Sequence, residues 1–178
     1  SFNSLIHVFE DLHEKTDGTI LIISHQERIL NIADKIIHKL QNSEKYKMAK
    51  RKILMDDTRR ELSKHGTETF PMTVSHDDLW AFEGKTVPIH WHDDLEINLL
   101  REGMAVFQVY QKSYSVRPGE GFLLNRNVPH SCNSPVNEHV RYNTILVRSD
   151  FLYGDFGSDI ERNCFRPFLQ NSAVPCIH

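Results

Sequence analysis

The stretch GKTVPIHWHDDLEINLLREG, residues 84–103, sets two histidines one residue apart and places a glutamate four residues after the second. Side chains on a strand alternate between two faces, so His90, His92 and Glu96 are predicted to share one face. Imidazole and carboxylate groups that converge on one face are what a divalent transition metal needs, and His130 is the candidate fourth ligand. The alternative is a polar pocket wall that holds no metal.

The composition favours one folded domain with an ordinary core, because 178 residues carry 39% hydrophobic and 10% aromatic side chains. The 21 Lys and Arg oppose 24 Asp and Glu, and the net charge of -3 offers no overall positive field for nucleic acid. No apolar run approaches the ~18 residues of a spanning helix, and the N-terminus lacks the basic stretch of a signal peptide. We therefore expect a cytoplasmic protein that binds neither DNA nor membranes by itself.

The three cysteines, Cys132, Cys164 and Cys176, are widely spaced and form no CxxC pair. An odd number without such a pair is typical of free thiols in a reducing compartment. Cys132 lies two residues after His130 and would share its strand face, so a ligand role is conceivable, but simple packing is expected.

The two aspartates that follow the histidines have two possible roles, and the isolated histidines have one. Asp93 and Asp94 would either orient an imidazole as hydrogen-bond acceptors or lie in water at a strand end. His65, His76 and His139 stand alone beside polar neighbours, and we expect them at the surface.

Three segments are predicted along the chain. Residues 1–47 resemble a short α/β piece, with the apolar run TILIIS at 19–24 as a strand between two helices. Residues 48–66 are predicted to form a linking helix, with an amphipathic pattern over 50–64. The sequence pattern of residues 67–178 is typical of an all-β domain.

In that β domain, short runs rich in branched and aromatic residues alternate with Gly, Pro and Asn. The predicted strands cover residues 72–75, 89–100, 105–110, 112–116, 121–125 and 142–147. A helix is predicted around 160–169. Strand spacing of this kind is typical of a closed barrel or a jelly roll.

The run TILIISHQERILNIADKII, residues 19–37, resembles the last part of an ABC-type ATPase domain, and His25 takes the place of its switch histidine. The chain has no GxxxxGK[ST] phosphate loop, no signature motif and no acidic strand end for magnesium. The resemblance therefore implies an incomplete fragment, and nucleotide binding is not expected.

The stretch 84–103 matches the first signature of the cupin superfamily, G(x5)HxH(x3)E(x6)G, at every fixed position. The second signature, G(x5)PxG(x2)H(x3)N, is matched less well: His130 takes the ligand position, but Asn125, Asn127 and Ser134 replace its Pro, Gly and Asn. The resemblance implies a mainly β, cupin-type jelly-roll barrel. It also implies a metal site of His90, His92, Glu96 and His130 for Zn, Ni, Mn or Fe.

A narrower resemblance covers about residues 48–178. The segments RRELSKHGTETFPM, HWHDDLEINLLREG and YSVRPGEGFLLNRNVPHS are similar to the N-terminal sensor half of AraC-type transcription regulators. The resemblance implies a small-molecule effector, often a sugar, and a homodimer in the full-length regulator. It implies a DNA-binding half of two helix-turn-helix motifs, which this chain is expected to lack. The effector contacts are predicted at His90, His92, Glu96, His130 and Trp91.

The alternative function is a metal-dependent cupin enzyme, of the oxygenase, isomerase or decarboxylase type, that uses the same three histidines and glutamate. No further acid–base pair or nucleophile stands out in the sequence, which favours sensing over catalysis. Phe107, Tyr110 and Phe122 are further candidates to flank the pocket beside Trp91, although strand parity does not decide which of them point inward.

Overall fold

The computed structural model describes residues 50–178, so the α/β piece predicted for residues 1–47 lies outside the described residues. Within the described part the chain forms nine strands. They are β1 (Met72–Asp78), β2 (Thr86–His90), β3 (Leu95–Glu102), β4 (Ala105–Val109), β5 (Lys112–Val116), β6 (Gly121–Leu124), β7 (His130–Asn133), β8 (Arg141–Val147) and β9 (Cys176–Ile177).

Helical elements are short. Two 3-10 turns, Leu79–Ala81 and Glu83–Lys85, connect β1 to β2. After β8 come helix α1 (Ser149–Tyr153), a π-helical turn (Glu161–Phe165) and helix α2 (Arg166–Leu169). None of the helices within residues 50–178 has the length and apolar content needed to cross a membrane.

The strands form two antiparallel sheets. The larger has the order β1-β8-β3-β6-β9 and the smaller the order β2-β7-β4-β5. Neighbours in each sheet are mostly distant in sequence, as in a jelly roll, which confirms the predicted mainly β, jelly-roll fold. No strand among the described residues belongs to both sheets, so the barrel is not closed by continuous hydrogen bonding.

The main core lies between the two sheets. Alternate residues of β4, Ala105, Phe107 and Val109, are buried because a strand with one face on a core buries every second side chain. The Phe107 ring stacks on Phe122 of the larger sheet, with centroids 4.6 Å apart. Leu100 also packs in this cluster.

A second apolar cluster covers the outer face of the larger sheet. Leu95 of β3 and Val147 of β8 pack there against Phe151 of α1 and Phe168 of α2. Strand β3 is therefore buried on both faces, which explains why apolar and polar residues do not alternate simply along it.

The strand predicted over residues 89–100 is wrong in one important respect. The chain leaves the smaller sheet after His90, crosses through residues 91–94, and enters the larger sheet at Leu95. Sequence periodicity detected the apolar and branched residues on both sides of the crossing but not the crossing itself. Strand β7 was not predicted, because HSCN contains none of the branched or aromatic residues that mark strands.

The linking helix predicted over residues 50–64 does not form. Burial alternates with period two over residues 51–55, as in an extended chain. Backbone bridges join Arg51 to Phe82 and Arg60 to Trp91, and Arg59 has a positive φ of 66° at the intervening turn. Residues 50–66 therefore pack as part of the β domain, which the predicted boundary at 67 excluded.

Candidate metal and effector site

The crossing between the sheets positions the histidines and the glutamate of the motif. His90 ends β2, His92 lies in the crossing, Glu96 is in β3, and His130 begins β7 directly opposite His90. All four are buried, and one ligand atom from each lies within 4.8 Å of the others. The structure thus brings together the four residues predicted as metal ligands, although from two sheets rather than from one strand face.

The three imidazoles share one pattern of contact with the backbone. The Nδ1 atom of each lies near a backbone carbonyl oxygen two residues away, at 2.9 Å for His90, 3.1 Å for His92 and 2.8 Å for His130. A carbonyl oxygen only accepts, so Nδ1 must carry the proton in each contact. A ring that is neutral then carries its lone pair on Nε2, which faces the other members of the cluster, whereas a protonated ring can donate from Nε2 to Glu96.

Glu96 is held by a chain of buried polar groups. Its Oε2 lies 2.8 Å from Nε2 of His92 and 3.2 Å from Nε2 of His130. The amide of Asn98 donates to its Oε1 at 2.7 Å, and the hydroxyl of Thr144 donates to Oδ1 of Asn98 at 3.0 Å. Asn98 and Thr144 thereby fix which carboxylate oxygen faces the histidines.

Electrostatics keep the glutamate ionised. Burial alone would raise the pKa of Glu96, but His130 and His92, which lie beside the carboxylate and stabilise its charge when they are protonated, hold that pKa well below its usual value. Burial, together with the charge of His130, lowers the pKa of His90 to about 4. His90 is therefore neutral near pH 7 and has a free lone pair.

These residues fit a divalent transition metal. Nε2 of His130 is buried and, within residues 50–178, has no partner with hydrogen-bond geometry, although Glu96 is close. Two ligand atoms about 2.1 Å from one ion lie about 3.0 Å apart at octahedral right angles and about 3.4 Å apart in a tetrahedral site. The distances of 2.8 and 3.2 Å from Glu96 to His92 and His130 are near these values.

Two further residues next to the cluster were not predicted from the sequence. His65, expected at the surface, has a side chain only 8% exposed and lies 2.8 Å from Oδ2 of Asp94. Glu61 lies 3.5 Å from His65 and 3.9 Å from Nε2 of His90. Burial would lower the pKa of His65, but hydrogen bonds to Asp94 and Glu61 raise it to about 9.

The spacing of Glu61 and His65, four residues apart, was the available signal for this pair. The helix predicted over residues 50–64 places Glu61 in solvent, and His65 is expected at the surface because it stands alone beside polar neighbours, so the pair was not recognised. Of the two aspartates next to the histidines, Asp94 does orient side chains: its backbone oxygen accepts from His92 and its carboxylate contacts His65. Asp93 instead pairs with Arg60 at the surface.

Trp91 does not join the four clustered residues. Its indole nitrogen donates to the backbone oxygen of Thr58 at 3.0 Å, and the Arg60 guanidinium lies 5.6 Å from its ring centroid. Its side chain lines an open surface cleft of about 410 Å³. The other residues that line this cleft are Asp93, Asn127 and Pro129.

The remaining candidates divide between core and surface. Phe107 and Phe122 point into the core, whereas Tyr110 is 53% exposed at a turn. Cys132 packs in the apolar core, and burial raises the pKa of its thiol, so the thiol stays protonated. His139 lies partly exposed against Asp78 and stacks on Trp80.

Comparison with known proteins gives the family. AraC-like ligand binding domains match residues 79–175, more than half of the chain. The chain is 21% identical over 125 residues to the "Uncharacterized HTH-type transcriptional regulator YdeC" of Bacillus subtilis, which covers 70% of this chain and 42% of that protein. The chain thus spans less than half the length of this relative.

Similar solved structures include two cupins. An RmlC-like cupin family protein of Methanocaldococcus jannaschii is 11% identical, with a TM-score of 0.41 over 58% of this chain and 87% of that one. The Cnp3 cupin domain of Schizosaccharomyces pombe is 16% identical, with a TM-score of 0.40 over 52% and 70%. The resemblance of residues 1–47 to an ABC-type ATPase receives no support from the comparisons. The match over residues 79–175 establishes that this chain belongs to the family of AraC-like ligand-binding domains.

Proposed function

We propose that this domain binds a small polar effector at the cluster of His90, His92, Glu96 and His130, and that it is the sensing part of a transcription regulator. The observation that carries the proposal is the convergence of four buried polar side chains at one point between the sheets. Such groups are costly to bury without partners, and a ligand or metal would satisfy them. The resemblance implies a sugar or another small metabolite as the effector, and hydroxyl groups of such compounds can form hydrogen bonds with imidazole and carboxylate groups.

A divalent transition metal is proposed at the same point, held by Nε2 of the three histidines and by Glu96. A bound metal would supply a Lewis acid that can take an effector oxygen as a further ligand. The chain's own contribution is to keep the imidazole lone pairs aimed inward through the Nδ1 contacts to backbone carbonyls.

The wider regulator is also a proposal. The YdeC relative is named as an HTH-type transcriptional regulator, and this chain covers 42% of its length. We propose that the full-length protein is a homodimer and that its DNA-binding half lies outside the domain described. The predicted contact of Trp91 with an effector would be made in the outer cleft, away from the histidines.

Effector binding is expected to raise the thermal stability of the protein. A ligand present at 100 times its dissociation constant stabilises the folded state by about 2.7 kcal/mol, because it binds the folded state alone. Differential scanning fluorimetry with a panel of sugars and small metabolites measures this shift. His92→Gln is expected to remove it, whereas His139→Gln, a histidine outside the cluster, is expected to keep it. If no compound in the panel shifts the melting temperature, the result would contradict the proposal.

The support given by Thr144 to Glu96 can be tested separately. Thr144→Val keeps the shape of the side chain but removes the hydroxyl that donates to Asn98. We expect about 1–3 kcal/mol lower stability in urea, because Oδ1 of Asn98 is left buried without a donor. Metal affinity, measured by competition with a chelator, is expected to fall about 10-fold or more.

The matched control for this substitution is Thr86→Val, because the Thr86 hydroxyl contacts only the backbone oxygen of Gly84 at 3.2 Å. If both variants have equal metal affinity, the chain from Thr144 through Asn98 to Glu96 does not support the site.

Catalysis is the second candidate, since the three histidines and one glutamate also form the ligand set expected of a metal-dependent cupin enzyme. The two functions differ in the fate of the ligand. A compound that shifts the melting temperature can be incubated with metal-loaded protein and recovered for NMR. If the compound is recovered unchanged, the result supports sensing. If it is converted into a product, the result supports an oxygenase, isomerase or decarboxylase.

A further inference from the structure

A fifth polar side chain borders the cluster from outside the motif. Glu61 has a side chain 10% exposed, and its Oε2 lies 3.9 Å from Nε2 of His90. This distance is too long for a direct hydrogen bond. The carboxylate therefore leaves room for a group bound beside His90 to donate a hydrogen bond to it.

The position of Glu61 is fixed by its surroundings. Its backbone nitrogen donates to the backbone oxygen of Trp91 at 2.8 Å, which ties it to the crossing between the sheets. Its Oε1 lies 3.5 Å from Nε2 of His65, and Nδ1 of His65 contacts Asp94 at 2.8 Å. The side chains of His65 and Asp94 are 8% and 17% exposed, so this trio is largely shielded from water.

We propose that Glu61 is an additional ligand-contacting residue of the site, which accepts a hydrogen bond from the group bound beside His90 and selects against anionic ligands. The inference deepens the proposed function and rests on it. It predicts that the effector presents a neutral hydroxyl or an amine to Glu61, rather than a carboxylate or a phosphate.

The chemistry of the trio supports this selection. An ionised carboxylate only accepts hydrogen bonds, so its neighbour in the gap must be a donor such as water, a hydroxyl or an ammonium group. His65 lies between two carboxylates, Glu61 and Asp94, and a single imidazolium balances only one of them. The carboxylate of Glu61 would repel an anion placed within a few ångströms of it in this shielded position, and this repulsion would reduce the attraction of the anion to the metal ion.

The test uses the protein loaded with Co²⁺, whose visible absorption reports the ligands of the metal, and titrates acetate as a small anionic probe. We expect Glu61→Gln to bind acetate at least about tenfold more tightly than the wild type, because the amide has the same shape but no charge. Glu83→Gln removes the same charge from an exposed turn and is expected to behave as the wild type. Glu61→Ala serves in the same titration if the glutamine variant does not fold.

Equal acetate affinity in the wild type and both Glu61 variants, with Co²⁺ bound in all of them, would overturn the role of Glu61 and leave the metal site intact. A wild type that fails to bind Co²⁺ would overturn the metal site itself, and the role of Glu61 with it. Tighter acetate binding in Glu83→Gln as well would show a general charge effect and would also overturn the assignment.

Discussion

Protein purified without added metal is expected to retain about one divalent transition ion per chain, and His130→Ala is expected to lose it. His130 supplies a buried Nε2 that has no hydrogen-bond partner and lies 3.2 Å from Glu96. Removing a direct ligand should cost more than the roughly 10–100-fold in affinity that follows the loss of a supporting hydrogen bond. Elemental analysis of the purified proteins measures the difference.

The control is His139→Ala, which removes a histidine that contacts Asp78 and Trp80 instead of the cluster. His130→Gln is a second variant that leaves less empty space in the core. Circular dichroism establishes that each variant is folded. Metal content that is equal in the wild type and in folded His130 variants would contradict the assignment of His130 as a ligand.

Gly103→Ala is expected to unfold the domain or to destabilise it by roughly 3–5 kcal/mol, at the upper end of single-substitution effects. Gly103 has a φ of 77°, which L-residues with a side chain adopt at a cost. A Cβ atom at this position would also lie 2.2 Å from the backbone oxygen of His139. Backbone atoms cannot move aside as a flexible side chain can, so urea denaturation should show a large loss.

The other fixed glycine of the motif is the matched control for Gly103. Gly84 also has a positive φ, 64°, but a Cβ there would meet nothing within 4 Å. Gly84→Ala should therefore cost only the conformational strain, about 1–2 kcal/mol. If Gly103→Ala and Gly84→Ala lower the free energy of unfolding by similar amounts, the backbone near His139 moves to accommodate the added Cβ without a loss of stability.

Much of the fold follows from local patterns. Strand β5 begins and ends where alternation and turn residues predicted it, and β4, β6 and β8 differ from the predicted ranges by one residue at one end. Strands β4 and β5 have one face on the core, so the period of two is preserved in their sequences. Strands β6 and β8 are buried on both faces, and their apolar and branched residues and the turn residues at their ends marked them instead. Strands without that pattern, such as β7 and the two-residue β9, were not predicted.

The candidate site was predicted in part. The spacing of His90, His92 and Glu96 and the position of His130 were sufficient to select the four residues that converge. Glu61 was not selected because the interpretation of residues 50–64 as a helix placed it in solvent, and His65 was not selected because it stands alone beside polar neighbours in the sequence. The apolar residues in that segment are few, so helical and extended patterns could not be distinguished from periodicity alone.

By itself, the sequence determined the mainly β class, the family and the four polar residues of the cluster, because alternation and motif spacing are local properties of the chain. The tertiary structure alone decided how those residues meet. It placed His90 and Glu96 in different sheets, turned Trp91 to an outer cleft, and brought Glu61 to within 3.9 Å of His90. The physical reason is that contacts between residues far apart in the chain depend on how the sheets pack. The local periodicity of the sequence contains no information about that packing.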